Sequence, residues 1–449
     1  MLAYRAAQTL LNAAMNVFFQ DVHLVGLEHV PLEGERAVLF AGNHPNSLID
    51  PVLLCTGSGR IVHFAAKDKL FTFPLSLLLR ALGAVPIARR MDHGDTARDN
   101  TAALDALYQV LAEGRAVGIF PEGLSHNEAQ LQRIRTGAAR IALDAASRHA
   151  EAGVQVVCCG LTYVRREHFR SRVLVQFGPP IDIDAGWVAR WTEDERAATA
   201  ALTTDIEAGL RALTVNAPDW ETLRVLDGVR RLYQPRHISL ADRVELSRRF
   251  SEGYQSVADK PDIAALYSRI AAYQQDLDDV GLTDRDLVRG LDGRPLSRRA
   301  LRSVLRLVLW LPLALPGAPI HLPLLIGVGL MGRTLAPRDD VVGTSRLVLG
   351  ATAVATAWVL VPAAVALTLD PWWGAMVAVA LPISGIAALR VLERGVSVRR
   401  LVRSALAGLR LGQTLRALQQ RRTTLQDEVQ AAVERHIPDD LVRLFPPPP

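Results

Sequence analysis

The stretch AVLFAGNHPNSLIDPVLL, residues 37–54, ends an apolar run in a turn that holds His44 and, six positions on, Asp50. A neutral imidazole near pH 7 can take a proton from an alcohol while that alcohol attacks an acyl carbonyl. A carboxylate on the other ring nitrogen would orient the ring and stabilise the imidazolium, the division of labour of a serine-protease triad. No G-x-S-x-G elbow offers a serine nucleophile, so the pair suits direct attack by a substrate hydroxyl. The same residue types also suit a plain turn, and the pair alone leaves both readings open. FPEG, residues 120–123, ends another strand and brings backbone N–H groups at Gly123 to a place where an anion could bind. Lys67 and Arg89 close two more strands. Three cationic or N–H-rich strand ends around one histidine suit a phosphate-bearing substrate.

These groups meet only if their strands share one sheet edge. RAVLFA, RIVHFAA, AVPIAR, AVGIFP, VQVVCCGLTYV and RVLVQFG read as strands. FPLSLLLRALG reads as a helix stopped by Gly83, and a second helix runs from a cap at Asp95 or Thr96 to Glu113, stopped by Gly114. TGAARIALDAASRHA reads as a third. The alternation predicts an α/β domain over 25–190, with a mixed, largely parallel sheet flanked by helices. Ligands of such sheets sit at the carboxyl ends of strands, where the candidate residues fall. Residues 1–24 read as a helix with one polar stripe of Arg5, Gln8, Thr9, Asn12 and Asn16. Such a helix either lies in a membrane interface or caps the core.

The chain has 449 residues and a formal charge of +5, too modest to argue for a nucleic-acid partner. Cys55, Cys158 and Cys159 have no spacing for zinc or a disulfide framework, and read as packing residues in a reduced compartment. The N-terminus lacks a basic start and a small-residue cleavage site. Residues 191–300 read as charged amphipathic helices, and 301–395 as membrane segments. Leu347 to Leu369 is uncharged and long enough to span a bilayer, Asp370 and Pro371 break it, and a second uncharged run reaches Leu389. That predicts a hairpin over 347–389. The preceding block, 307–332, holds four prolines and reads as broken or re-entrant. Arginines flank both blocks, which predicts an inner-membrane protein with its catalytic domain cytoplasmic. Residues 396–449 read as an amphipathic helix and a disordered tail.

The ordered blocks NHPNSLID, GAVPIAR, FPEG and VVCCGLTY resemble the glycerolipid acyltransferase family, over residues 25 to 185. HPNSLIDP, FPEGLSHNE and GLTYVRREHFRSRVLVQFG look most like its fungal-type glycerol-3-phosphate/dihydroxyacetone-phosphate acyltransferases and their bacterial relatives. The resemblance implies His44 as base and Asp50 as its partner. It implies Arg89, Glu122 and Gly123 as contacts of the glycerol phosphate, with Lys67 assisting. Arg135, in RTG, stands where the subgroup has K-x-G, and Asn43, Ser125 and His126 become auxiliary candidates. The implied reaction moves a fatty acyl group from acyl-CoA or acyl carrier protein onto glycerol-3-phosphate or dihydroxyacetone phosphate at a membrane lipid surface. The alternatives are a lysophosphatidic acid acceptor and, from another class, a non-catalytic membrane lipid-binding protein. No metal or redox cofactor is implied. Two departures stand out. Five residues separate His44 from Asp50, where the widespread pattern has four, and the arginine of F-P-E-G-T-R-S is absent from FPEGLSH.

Overall fold

A computed structural model describes the chain except residues 1, 74, 88–100, 150–152, 236–237, 285–286, 289–295, 411 and 437–449. Arg89, the Asp95/Thr96 cap and the C-terminal tail therefore lie outside the described residues. The chain divides into two compact units, one of Met1–Trp220, Ser239–Arg248 and Pro337–Thr344, the other of Glu221–Ile238, Arg249–Ala336 and Ser345–Pro449.

The first unit is built on seven strands: β1 (Phe19–Val25), β2 (Val38–Gly42), β3 (Val62–Lys67), β4 (Val85–Ile87), β5 (Ala116–Ile119), β6 (Gln155–Tyr163) and β7 (Ser171–Asp182). They pair in the order β1-β7-β6-β2-β5-β3-β4. All neighbours are parallel except β6 and β7. The expected mixed, largely parallel sheet is what forms. Every residue of β2 is buried, which is why it reads as an unbroken apolar run rather than an alternating one. Helices α1 (Leu2–Phe18), α2 (Ile49–Gly57), α3 (Leu75–Ala81), α4 (Thr101–Ala112), α5 (Gly137–Arg148), α6 (Ala185–Glu193) and α7 (Glu195–Leu213) complete this unit's α/β framework. The main core joins Leu39 and Val117 of the sheet to Leu107, Leu143, Leu202 and Ile206 of the helices.

The N-terminal helix expected over 1–24 stops at Phe18, and Phe19–Val25 form the edge strand β1. Its Gln20, Asp21, Leu24 and Val25 stay exposed, so the strand lacks the clean burial pattern that periodicity detects; its pairing with β7 sets it. One face of α1 packs on the α/β unit. Tyr4, Ala7 and Leu11 pack with Leu82 in one cluster, and the Tyr4 hydroxyl accepts from Val62 N at 2.9 Å.

The second unit is helical among its described residues. Three helical stretches, Val304–Thr334, Asp339–Thr368 and Pro371–Gly395, are long and apolar enough to cross a membrane. The first is broken at the 3-10 turn Leu315–Gly317. Side chains of the following turn and of another helix satisfy the backbone there. Ser384 Oγ accepts from Gly317 N (2.8 Å) and donates to Ala314 O (3.1 Å). His321 Nδ1–H donates to Gly317 O (2.9 Å), while its Nε2 accepts from Trp358 Nε1 (3.1 Å). Pairing of this kind is what lets a helix break persist at membrane depth. The expected hairpin corresponds to helices Val342–Thr368 and Pro371–Arg410, and a last helix covers Gly412–His436.

Candidate active site

The carboxyl ends of β2, β3 and β5 lie side by side, so the sheet brings Asn43–His44, Lys67 and Phe120–Gly123 to one edge. Asn43 carries the pairing of β2 one step further. Its amide donates to Leu161 O (3.1 Å) and its Oδ1 accepts from Leu161 N (2.7 Å). His44 comes next, fixed on all sides. Its N–H donates to Glu122 Oε1 at 2.8 Å, and its carbonyl accepts from His126 N at 3.2 Å. Its ring stacks on Phe120 with centroids 4.1 Å apart, and Phe120 stacks in turn on Phe64. Gly118 makes room for this column: a Cβ there would lie 2.1 Å from the Phe64 ring.

His44 Nδ1 lies 2.8 Å from Asp50 Oδ2. The carboxylate accepts, so the proton sits on Nδ1 and Nε2 is left as the basic nitrogen. No described residue hydrogen-bonds that Nε2. Asp50 is fully buried in the first turn of α2, where the helix dipole favours a negative charge. Its Oδ2 also accepts from Asn46 N (2.6 Å), and its Oδ1 accepts from the Tyr163 hydroxyl (2.5 Å). The turn absorbs its additional residue at Ser47, which takes a left-handed φ of 44°, a conformation that costs a non-glycine residue about 1 kcal/mol or more. The dyad forms despite the longer spacing.

Tyr163 was not singled out by its sequence position at the end of an apolar strand. Burial, and then the Asp50 charge, push its phenol well above the ordinary value, so it stays a donor to the carboxylate. Tyr163→Phe leaves Asp50 Oδ1 buried without a partner, a loss of about 1–3 kcal/mol. Thermal unfolding and initial rates should show a lowered melting temperature and a kcat reduced about tenfold, with KM values unmoved.

Glu122 and Gly123, expected at the phosphate, also make bonds within the protein. Glu122 is buried and holds the site's backbone: besides His44 N, it accepts from Gln132 N (2.8 Å) and from His126 Nε2. His126 Nδ1 accepts from Glu128 N, which puts its proton on Nε2. The Gly123 N–H is used inside its own turn, donating to Phe120 O (2.9 Å), and the residue takes φ 78°. Arg135 lies over that turn. Its N–H donates to Pro121 O, and its side chain fills the space a Gly123 Cβ would need. Lys67 ends β3 at the same edge.

A segment far down the chain belongs to the same compact unit and braces the site. Ser125 Oγ donates to Asp340 Oδ2 (2.5 Å), and Arg338 donates to both. Thr344 Oγ1 accepts from Leu48 N (3.2 Å) and donates to Asn46 O (3.4 Å), clasping the turn between His44 and Asp50. No local pattern in the sequence announces these contacts.

Comparison with known proteins gives two family matches. Residues 21–162 match the acyltransferase family model, and residues 225–441 match that of the glycerol-3-phosphate acyltransferase 2 C-terminal domain. The chain is 35% identical over 237 residues to glycerol-3-phosphate O-acyltransferase 2 of Saccharomyces cerevisiae, covering 51% of this chain and 32% of that one. It is 26% identical over 372 residues to an uncharacterized acyltransferase of Schizosaccharomyces pombe, covering 63% and 55%. Glycerol-3-phosphate O-acyltransferase 1 of S. cerevisiae is 36% identical over 191 residues, 41% and 25% of the two chains. The chain thus spans between a quarter and just over half the length of these relatives. The crystal structure of the 1-acyl-sn-glycerophosphate acyltransferase PlsC from Thermotoga maritima aligns with a TM-score of 0.31 at 18% identity, covering 46% of this chain and 79% of that one.

Proposed function

We propose that the chain, which matches the acyltransferase family model over residues 21–162 and that of the glycerol-3-phosphate acyltransferase 2 C-terminal domain over residues 225–441, transfers a fatty acyl group from a thioester donor, acyl-CoA or acyl carrier protein, to a hydroxyl of glycerol-3-phosphate or dihydroxyacetone phosphate. The observation that carries this reading is the His44–Asp50 pair at the end of β2, with Nε2 of His44 unoccupied by any described residue. In the reaction, Nε2 takes the acceptor hydroxyl's proton as the oxygen attacks the thioester carbonyl. Asp50 stabilises the imidazolium that forms. The tetrahedral intermediate collapses, the C–S bond breaks, and the imidazolium returns its proton to the thiolate. The products are an ester and a free thiol. Lys67, Arg135 and Arg89 are the proposed cationic contacts of the acceptor phosphate.

The test offers purified full-length protein glycerol-3-phosphate, dihydroxyacetone phosphate and lysophosphatidic acid, each with acyl-CoA and with acyl carrier protein, and identifies products by mass. Acylation of either small phosphate acceptor supports the reading. Acylation of lysophosphatidic acid alone moves the enzyme one reaction later, and no product with any pair refutes acyl transfer to this substrate class.

The arginine-rich flanks of the apolar helices support a location in the inner membrane with the catalytic domain cytoplasmic. On this topology the tip between the last two apolar helices faces outward. Asp370→Cys should react with an impermeant thiol reagent in intact cells. The native thiols form a silent background, since all three are buried and burial pushes Cys55 and Cys158 up to about 12. Labelling seen only after permeabilisation would reverse the topology.

A further inference from the structure

We propose that Arg166 is a specificity-determining residue, a guanidinium that grips the phosphate of the acceptor beside His44. The proposal rests on the acyl-transfer reading above and names a residue that neither the motifs nor the spacing singled out.

Arg166 follows β6 by three residues, in the loop that leads to β7. The site fixes its backbone and points its head group. Its carbonyl accepts from Asn46 Nδ2 (3.4 Å), one residue from the strained Ser47 of the catalytic turn. Its Nη1 donates to His126 O (3.4 Å), and the His126 N–H donates to His44 O. The guanidinium is thus tied through one peptide to the turn that carries the base. Its Nε is buried and has no hydrogen-bond partner among the described residues.

Arg60 shows how the same chain treats a buried guanidinium with a structural task. Its Nε donates to Glu33, one Nη to Pro31 O and Leu32 O, and the other to Arg36 O and Gly114 O, all at 2.7–3.0 Å. Every donor is used, as expected for a group that cannot shed its charge. Arg166 has one long bond and a buried N–H without an acceptor, an arrangement that costs free energy unless an acceptor arrives. The nearby carboxylates do not supply one. Asp50 accepts from His44, Asn46 and Tyr163, and Glu122 from His44, His126 and Gln132, and neither is bonded to Arg166. Arg170, four residues on, is also spent: it caps the end of α1 through Asn16 O, Val17 O and Phe19 O. An anion that reaches this guanidinium would bring the acceptors that the described residues do not supply, and a phosphate monoester has two oxygens to share.

Phosphate enters this reaction from two sources, the acceptor and the phosphopantetheine-bearing donor. Kinetics of Arg166→Gln and Arg166→Lys in the full-length protein separate them. The expected result is an acceptor KM raised at least about tenfold in both variants, kcat within about threefold of the parent, and an unchanged donor KM. The preference for glycerol-3-phosphate over glycerol should fall by the same factor. Arg166→Lys keeps the charge but not the planar fork, so it reads the proposal if the glutamine variant folds poorly. A thermal-shift titration with glycerol-3-phosphate gives a readout that needs no turnover: the parent should be stabilised and the variants not. An unchanged acceptor KM, or a rise confined to the donor, overturns the proposal. A parent protein that acylates no phosphate acceptor, yet is stabilised by glycerol-3-phosphate in an Arg166-dependent way, removes the reaction and leaves the phosphate site standing.

Discussion

His44→Ala is expected to lower the rate of the proposed acyl transfer at least about a hundredfold and to leave the fold in place. A positioned acid–base group contributes about 10²–10⁴ to a rate, and no other described residue at this edge is free to take its part. His126, the nearest alternative, holds its Nε2–H against Glu122 and accepts Glu128 N–H on Nδ1, so both nitrogens are engaged. The fold survives because the backbone of residue 44, not its ring, carries the framework bonds to Glu122 and His126. Asp50 loses one donor and keeps two, from Asn46 and Tyr163. The ring's stack on Phe120 is lost. Initial rates under saturating substrates, read beside a thermal melt, check both halves. Acyl transfer near the parent rate would falsify the dyad as the source of base catalysis.

Sequence patterns give the sheet and the dyad because both are local. A buried parallel strand is a short apolar run, and the residues that matter follow its end by one to eight positions. The parts that escape such reading depend on partners far away in sequence. β1 alternates poorly because it is an edge, and becomes a strand through its pairing with β7. Tyr163 looks like one more strand aromatic until β6 is set beside β2, which brings its hydroxyl to Asp50. Asp340 and Thr344 sit at the mouth of an apolar helix, where nothing local points to Ser125 or to the catalytic turn. Glu122 has a framework role that the motif alone does not announce. A carboxylate in FPEG invites a substrate contact, and its three described donors are internal, so it also holds the His44 backbone.

Asp50→Asn isolates the charge of this dyad from its shape, and it should lower kcat by about 10²–10³, or about 2.7–4 kcal/mol of transition-state stabilisation at 1.36 kcal/mol per decade. Alanine would be the poorer test, since it strands the buried Asn46 N–H and the Tyr163 hydroxyl and so mixes instability with catalysis. Asparagine can keep all three hydrogen bonds. If its oxygen takes the place of Oδ2, it still accepts from His44 Nδ1 and Asn46 N, and the Tyr163 hydroxyl rotates to accept from the new amide. The reverse orientation would set an NH₂ against the Asn46 N–H and force His44 to carry its proton on Nε2, so the first orientation wins. The tautomer and the geometry then survive, and only the negative charge that stabilises the imidazolium is gone. KM values should hardly change, because Asp50 is fully buried and touches no substrate. The melting temperature should fall only modestly. A kcat within about threefold of the parent would mean that Asp50 serves by orientation alone, and that acceptor deprotonation at His44 proceeds without a charged partner.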